Sequence, residues 1–233
     1  MSKNSSRSVG RHFLQIPGPT PLPDRVLRAM DTPIIDHRGP EFAKLAKRCL
    51  DGIKTIFKTT HPVIIYTATG TGAWEAALVN TLSPGDRVLM VETGQFATLW
   101  KNMAEKLGLK PEFIKTDWRI GADPTVVEDY LRKDTNKEIK AVCVLHNETS
   151  TGCLSPGMSF NAVSDKAFAA ANSSQLTKSF WAWDDMLNMN KIGFFPYTPA
   201  TQMLHGLAEG IAMLHEEGLD NVFARHDRLA EAT

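Results

Sequence analysis

The stretch VIIYTATGTGAWEAAL, residues 63–78, decides the fold. Val63 to Tyr66 is a short, apolar, β-branched run, which predicts a buried strand. Thr69-Gly70-Thr71-Gly72 then turns the chain, and the apolar residues through Leu82 predict a helix. Strand, glycine-rich turn and helix start make the geometry of an anion cradle. Free backbone N–H groups and the positive end of the helix dipole point at the ligand. Thr69 and Thr71 add hydroxyls. The turn is not a Walker A loop, because no Gly-Lys-Ser/Thr ends it. It also fails the dinucleotide pattern G-x-G-x-x-G, since Glu75 stands where the third glycine belongs. An ordinary tight strand-to-helix turn is the plain alternative.

Outward from this stretch the same rhythm repeats. Upstream, FLQIPGPTPLP (residues 13–23) carries four prolines and a glycine, so residues 1–23 read as an extended arm. A short helix is predicted from about Asp24 to Met30. Phe42, Leu45, Ala46, Cys49, Ile53, Ile56 and Phe57 recur at three- and four-residue spacing after Pro40, the mark of an amphipathic helix. Downstream, the pattern predicts strands at Arg87–Glu92, 111–115 and Ala141–Leu145, the last one buried. Helices are predicted at Phe96–Leu107, with Gly108 as its stop, and at 124–133. Strands alternating with helices imply right-handed crossovers and an α/β fold with a mainly parallel sheet and flanking helices. After Gly152 the rhythm falters. A strand is read at Met158–Val163, with helices at Ser164–Ala171, at Trp181–Met189, around Leu204 to Leu214, and from near Asp220.

Two further segments carry chemistry. HNETSTG, residues 146–152, comes after a predicted parallel strand and is rich in hydrogen-bonding side chains, as a loop that holds a polar ring would be. GFFPYTPAT, residues 193–201, sets aromatics, prolines and threonines just before a long helix. Thr198 there suits a helix cap, with Pro199 at the first helical position. His12, His205, His215 and His226 are scattered, and no spacing suggests a metal or a Ser-centred elbow. Cys49, Cys143 and Cys153 read as reduced, mostly buried thiols of a cytoplasmic protein. The Ser- and Arg-rich start weakly resembles an organellar presequence.

The 233 residues carry as many basic as acidic side chains, 42% hydrophobic and 22% charged residues. That suits a soluble globular protein with no broad surface for nucleic acid or anionic membrane. No apolar run approaches the about 20 residues that span a bilayer.

Taken together, FLQIPGPTPLPDRVLRAM (13–30), DHRGPEF (36–42), TATGTGAWEAAL (67–78), HNETSTG (146–152) and GFFPYTPATQMLHGLAEGIAMLHEEGLDNVFARH (193–226) resemble class V, fold-type I aminotransferases, specifically the serine–glyoxylate / alanine–glyoxylate branch. The resemblance implies pyridoxal 5'-phosphate as cofactor, amino-group transfer from serine or alanine to glyoxylate, and a homodimer. By position it puts Thr69, Gly70 and Thr71 at the cofactor phosphate and Phe96 in a stack on the pyridine ring. It puts Thr149 at the ring oxygen. Phe195 and Thr198 fall where a neighbouring subunit completes the phosphate site. It makes residues 24–217 the large cofactor-binding domain and 218–233 the start of a small C-terminal domain.

The same resemblance exposes a departure. After Gly152 the family continues through a strand bearing an aspartate that pairs with the pyridine nitrogen, then a strand ending in the Schiff-base lysine. Here CLSP (153–156) runs straight into GMSFNAVSDKA (157–167), which resembles the family's segment just beyond that lysine. The expectation is a deletion of several dozen residues near 156–157, with no catalytic residue left and strand edges left unpaired. Lys166, Lys178 and Lys191 are the nearest downstream lysines, each read as an exposed helix lysine. The rivals are a catalytically inactive truncated subunit that only binds cofactor or partner, and a nucleotide-binding module, which the glycine spacing disfavours.

Overall fold

The computed structural model of the chain describes residues 21–146 and 157–231. Residues 1–20, 147–156 (with Thr149 and Cys153) and 232–233 lie outside the described residues.

The alternating pattern is present as α1 (Asp24–Met30), α2 (Pro40–Ile56), β1 (Val63–Tyr66), α3 (Gly70–Thr81), β2 (Arg87–Val91), α4 (Gln95–Lys106), β3 (Lys110–Ile114), α5 (Pro124–Lys133) and β4 (Ile139–Cys143). Then come β5 (Ser159–Ala162), α6 (Asp165–Ala171), α7 (Trp183–Asn190), α8 (Thr201–Glu217) and α9 (Leu219–Glu231). The helix starts obey local chemistry. Pro40 sits in the first turn of α2, Asp123 caps α5 by accepting from the Thr125 N–H, and Ser164 caps α6 through the Ala167 N–H. Gly108, at φ +79°, ends α4 in the left-handed region.

β2 lies between β3 and β4, parallel to both, in the order β3-β2-β4. Helices cover both faces of this sheet. Leu78 and Val79 of α3 and Ala104 of α4 pack with Val88, Met90 and Cys143 on one face. Val127 and Tyr130 of α5 pack with Leu89, Val91 and Ile114 on the other. β1 stands in a second sheet, paired antiparallel with β5. Its four residues are all buried, in a core shared by α2, α7 and α8.

One expectation is corrected here. The fourth strand is not buried along its length and begins two residues earlier, at Ile139. Val142 and Val144 remain 40% and 43% exposed. By register Val142 lies beside Leu89, on the face covered by α5. Among the described residues, however, β4 has no strand on its far side, so cover stops at the sheet edge. The two sheets thus part between β4 and β5, the place where the expected deletion falls.

The second sheet is closed by helices. α1 packs against α8 at close range: a Cβ on Gly206 would come within 2.7 Å of the Met30 side chain. Arg25 of α1 donates to Glu209 and Glu216 of α8.

Candidate active site

The strand-to-helix turn forms as the sequence predicts. β1 ends at Tyr66, and Thr69 becomes the N-cap of α3 with φ −88° and ψ 172°. Its carbonyl accepts from the N–H groups of Gly72 (2.9 Å) and Ala73 (3.4 Å). The helix start leaves the N–H groups of Gly70 and Thr71 outside that ladder, and the Thr69 side chain makes no capping hydrogen bond. Thr69, Gly70 and Thr71 are all exposed. A Cβ on Gly70 would meet nothing within 4 Å, so open space lies above its backbone. Two residues on, Gly72 is confined: a Cβ would lie 2.6 Å from the Trp181 ring and 2.9 Å from Ala68.

α4 starts at the carboxyl end of β2 and brings Phe96 up to α3. The Phe96 ring, half-buried, meets Trp74 edge to face at 6.1 Å, and Trp74 stacks on Trp100 at 5.3 Å and 20°. β4 parallels β2, and the Thr93 hydroxyl donates to the Leu145 carbonyl at 3.3 Å. His146, which opens the polar loop, therefore leaves at the same sheet edge as the turn before Phe96. Thr149 lies outside the described residues.

Beneath the cradle lies an aromatic row that the sequence reading missed. Tyr197 packs on Phe180 (5.1 Å), Phe180 on Trp181 (4.9 Å), and Trp181 on Tyr66 (5.2 Å). The Tyr66 hydroxyl and the Asn80 amide both donate to the Trp181 carbonyl, at 2.9 and 2.7 Å. Burial pushes the Tyr66 hydroxyl pKa up, so it stays a neutral donor. These bonds hold Trp181 and Ala182 out of the helix, and α7 starts at Trp183 rather than Trp181. No sequence period marks this row, since its rings come from three separate stretches of the chain, at Tyr66, at Phe180 and Trp181, and at Tyr197.

The segment 193–201 divides. Phe194 and Phe195 pack on Phe42, with ring centroids 6.3 and 6.1 Å apart. Phe195 is buried, and its carbonyl accepts from Arg38 at 3.1 Å. Tyr197 and Thr198 are exposed. Thr198 does not cap the helix. The N-cap is Ala200, with ψ 83°, and α8 begins at Thr201. The register is set by burial of Thr201, Leu204, Ala208 and Ile211 on one face.

Of the downstream lysines, Lys166 on α6 and Lys191 just after α7 are exposed. Lys178 differs from expectation: it sits in the irregular segment before α7 and is half-buried. Lys178 and Lys191 line one cavity of about 690 Å³ with Asn80 and Trp183. Asn80 is ten residues along α3 from Gly70, about 15 Å at 1.5 Å per residue, so this cavity adjoins the far end of that helix. No group of three metal-ligating side chains occurs among the described residues, and none of their helices is long and apolar enough to cross a membrane.

The sequence pattern of the class-V aminotransferases matches residues 12–180. The chain belongs to that aminotransferase family. It is 37% identical to the serine–glyoxylate aminotransferase of Methylorubrum extorquens over 287 residues, covering 98% of this chain and 71% of that protein. It is 40% identical to the corresponding enzyme of Hyphomicrobium methylovorum over 272 residues, covering 93% and 67%. The fold is that of the alanine–glyoxylate aminotransferase of Nostoc sp., with a TM-score of 0.83 at 20% identity, covering 100% of this chain and 76% of that one. Class-V aminotransferases work with pyridoxal phosphate. A match running over 287 residues against a chain of 233 means that the Methylorubrum enzyme carries several dozen residues with no counterpart here.

The residues present fit one part of that cofactor and not another. An open helix start with spare hydroxyls suits its phosphate, and an aromatic ring beside it suits its pyridine. The lysine cavity, at the other end of α3, does not suit its aldehyde carbon.

Proposed function

We propose that residues 24–217 form the cofactor-binding domain of a homodimeric aminotransferase, whose inherited reaction moves an amino group from serine or alanine to glyoxylate through pyridoxal 5'-phosphate. We further propose that this chain, as it stands, binds the cofactor without turning substrate over. The substrate class rests on what the Methylorubrum and Hyphomicrobium relatives act on. The binding rests on the open first turn of α3, where Gly70 leaves room above free N–H groups and the Thr69 hydroxyl is not spent on capping.

Pyridoxal phosphate, when bound, supplies an electron sink for the substrate's α-carbon. The rest falls to the chain. Gly70 and Thr71 donate backbone N–H groups, and Thr69 and Thr71 hydroxyls, to the phosphate. Phe96 presents an apolar face to the ring, and Thr149 offers a hydroxyl to the ring oxygen. Thr198 of the partner subunit completes the phosphate site, with Phe195 anchoring its segment in its own core. What the described residues lack is a positioned lysine to carry the proton between carbons and an aspartate to charge the pyridine nitrogen. A single general acid/base group is typically worth about 10²–10⁴-fold in rate.

The test is to titrate the purified chain with pyridoxal phosphate, treat it with borohydride, map any reduced lysine by mass spectrometry, and assay serine with glyoxylate. Saturable binding without a stoichiometric lysine adduct or turnover is expected. A single-lysine adduct with turnover would overturn the claim of impairment. No saturable binding would overturn the cofactor assignment.

A further inference from the structure

The geometry points to Trp74 as a positioning residue: held face to face by Trp100, its indole holds the Phe96 ring in an edge-to-face contact and so sets the face that ring turns to the cofactor. This rests on the proposed role of Phe96 and deepens it.

Phe96 is the second residue of α4 and only half-buried, so its backbone alone leaves several side-chain rotamers open. One group that narrows them comes from another helix. Trp74 stands one turn after Gly70 on α3 and meets Phe96 at 6.1 Å and 69°. That is the preferred edge-to-face arrangement, with the positive rim of one ring against the negative face of the other. Trp74 is itself held in two ways. Trp100, four residues after Phe96 on α4, stacks on it at 5.3 Å and 20°. The first turn of α3 is seated on Trp181, which leaves no room for a Cβ at Gly72.

The Trp100 indole N–H is buried with no hydrogen-bond partner among the described residues. An orphaned buried donor is unfavourable, and its presence fits a ring kept for its stacking face. The phosphate donors at Gly70 and Thr71 and the stacking ring at Phe96 are thereby tied into one unit through a single side chain. The spacing between phosphate site and ring site is then set by the α3–α4 contact, with no need for the ligand to order it.

The experiment uses the full chain labelled with 4-fluorophenylalanine, with the Phe96 fluorine resonance identified by its loss in Phe96→Leu. Without cofactor, Trp74→Leu should shift and broaden that resonance, while Trp74→Phe should restore a sharp line. In a pyridoxal phosphate titration, Trp74→Leu should weaken binding roughly two- to tenfold, the equilibrium equivalent of one lost aromatic pair. Phe96→Leu should weaken it similarly, and the double variant should lose little more than either alone. An unmoved Phe96 resonance in Trp74→Leu, or fully additive losses, would overturn the proposal. If the parent chain binds no cofactor, the proposed function fails, and the fluorine spectra alone decide whether Trp74 clamps the ring.

Discussion

The Asn80 side chain accepts from the Trp183 backbone N–H at 3.1 Å and donates to the Trp181 carbonyl at 2.7 Å. One amide at the end of α3 thus satisfies both backbone groups of the turn that leads into α7. Asn80 is 1% exposed and donates also to Ala76. Its removal leaves a buried N–H and weakens the hold on a carbonyl, with water excluded. Asn80→Leu is expected to cost on the order of 2–4 kcal/mol of stability, read as a lowered urea midpoint with an unchanged slope.

Gly72 and Gly70 separate folding from binding. Gly72→Ala forces a methyl against Trp181 and Ala68 and should destabilise the chain by about 1–3 kcal/mol. Gly70→Ala meets no atom, so its stability should change by no more than about 1 kcal/mol. Its methyl stands in the cradle, and phosphate affinity should fall about tenfold or more, the loss of one charge-assisted hydrogen bond. Thermal melts and cofactor titrations of the two variants check this. Equal affinity in Gly70→Ala and the parent would count against the cradle.

Burial pushes the Cys49 and Cys143 thiols up to about 12, against about 8.5 for an exposed thiol. With the folded value above the unfolded one, the stability they contribute is complete below about pH 8.5 and is lost as pH climbs toward about 12. Melting temperature should therefore decline through the alkaline range, and both thiols should resist a thiol reagent at about pH 8 until denaturant is added. Rapid native labelling of either would refute their burial.

The bare edge of β4 should make the chain associate. Val142 and Val144 lie exposed, and among the described residues β4 has no strand on its far side, which leaves a template for added strands. Replacing both by lysine should lower the sedimenting mass at micromolar concentration without lowering the melting temperature. Unchanged association would place the contact elsewhere, the exposed Tyr197–Thr198 segment being the other candidate.

The α/β alternation was legible because period and punctuation are local. Pro40, Ser164, Gly108 and the run Val63 to Tyr66 act within a few residues of themselves, and the elements they mark agree with the structure to within about two residues at most ends. The turn that opens α3 was legible for the same reason, since it is made of consecutive residues, 69–72. The start of α8 was misread at Thr198, because capping preference there is weaker than burial of the Thr201, Leu204 and Ile211 face. Trp74 and Trp181 passed unnoticed as site residues, because an isolated tryptophan in a helix pattern or loop says only that it is apolar. Their meaning comes from partners at positions 96, 100, 66 and 197, which no periodicity brings together.

By itself, then, the sequence determined where strands and helices lie, that Thr69 to Thr71 open a helix, and which family's motifs the chain carries. Only the tertiary structure decided that the strands part into two sheets, that the edge among the described residues falls on β4, and that an aromatic row lies under the turn. Pairing of strands and stacking of rings depend on long-range contacts, whose free energy is a sum over residues distant in the chain. A local pattern reports which surface each element must bury, and the packed structure alone reports against what.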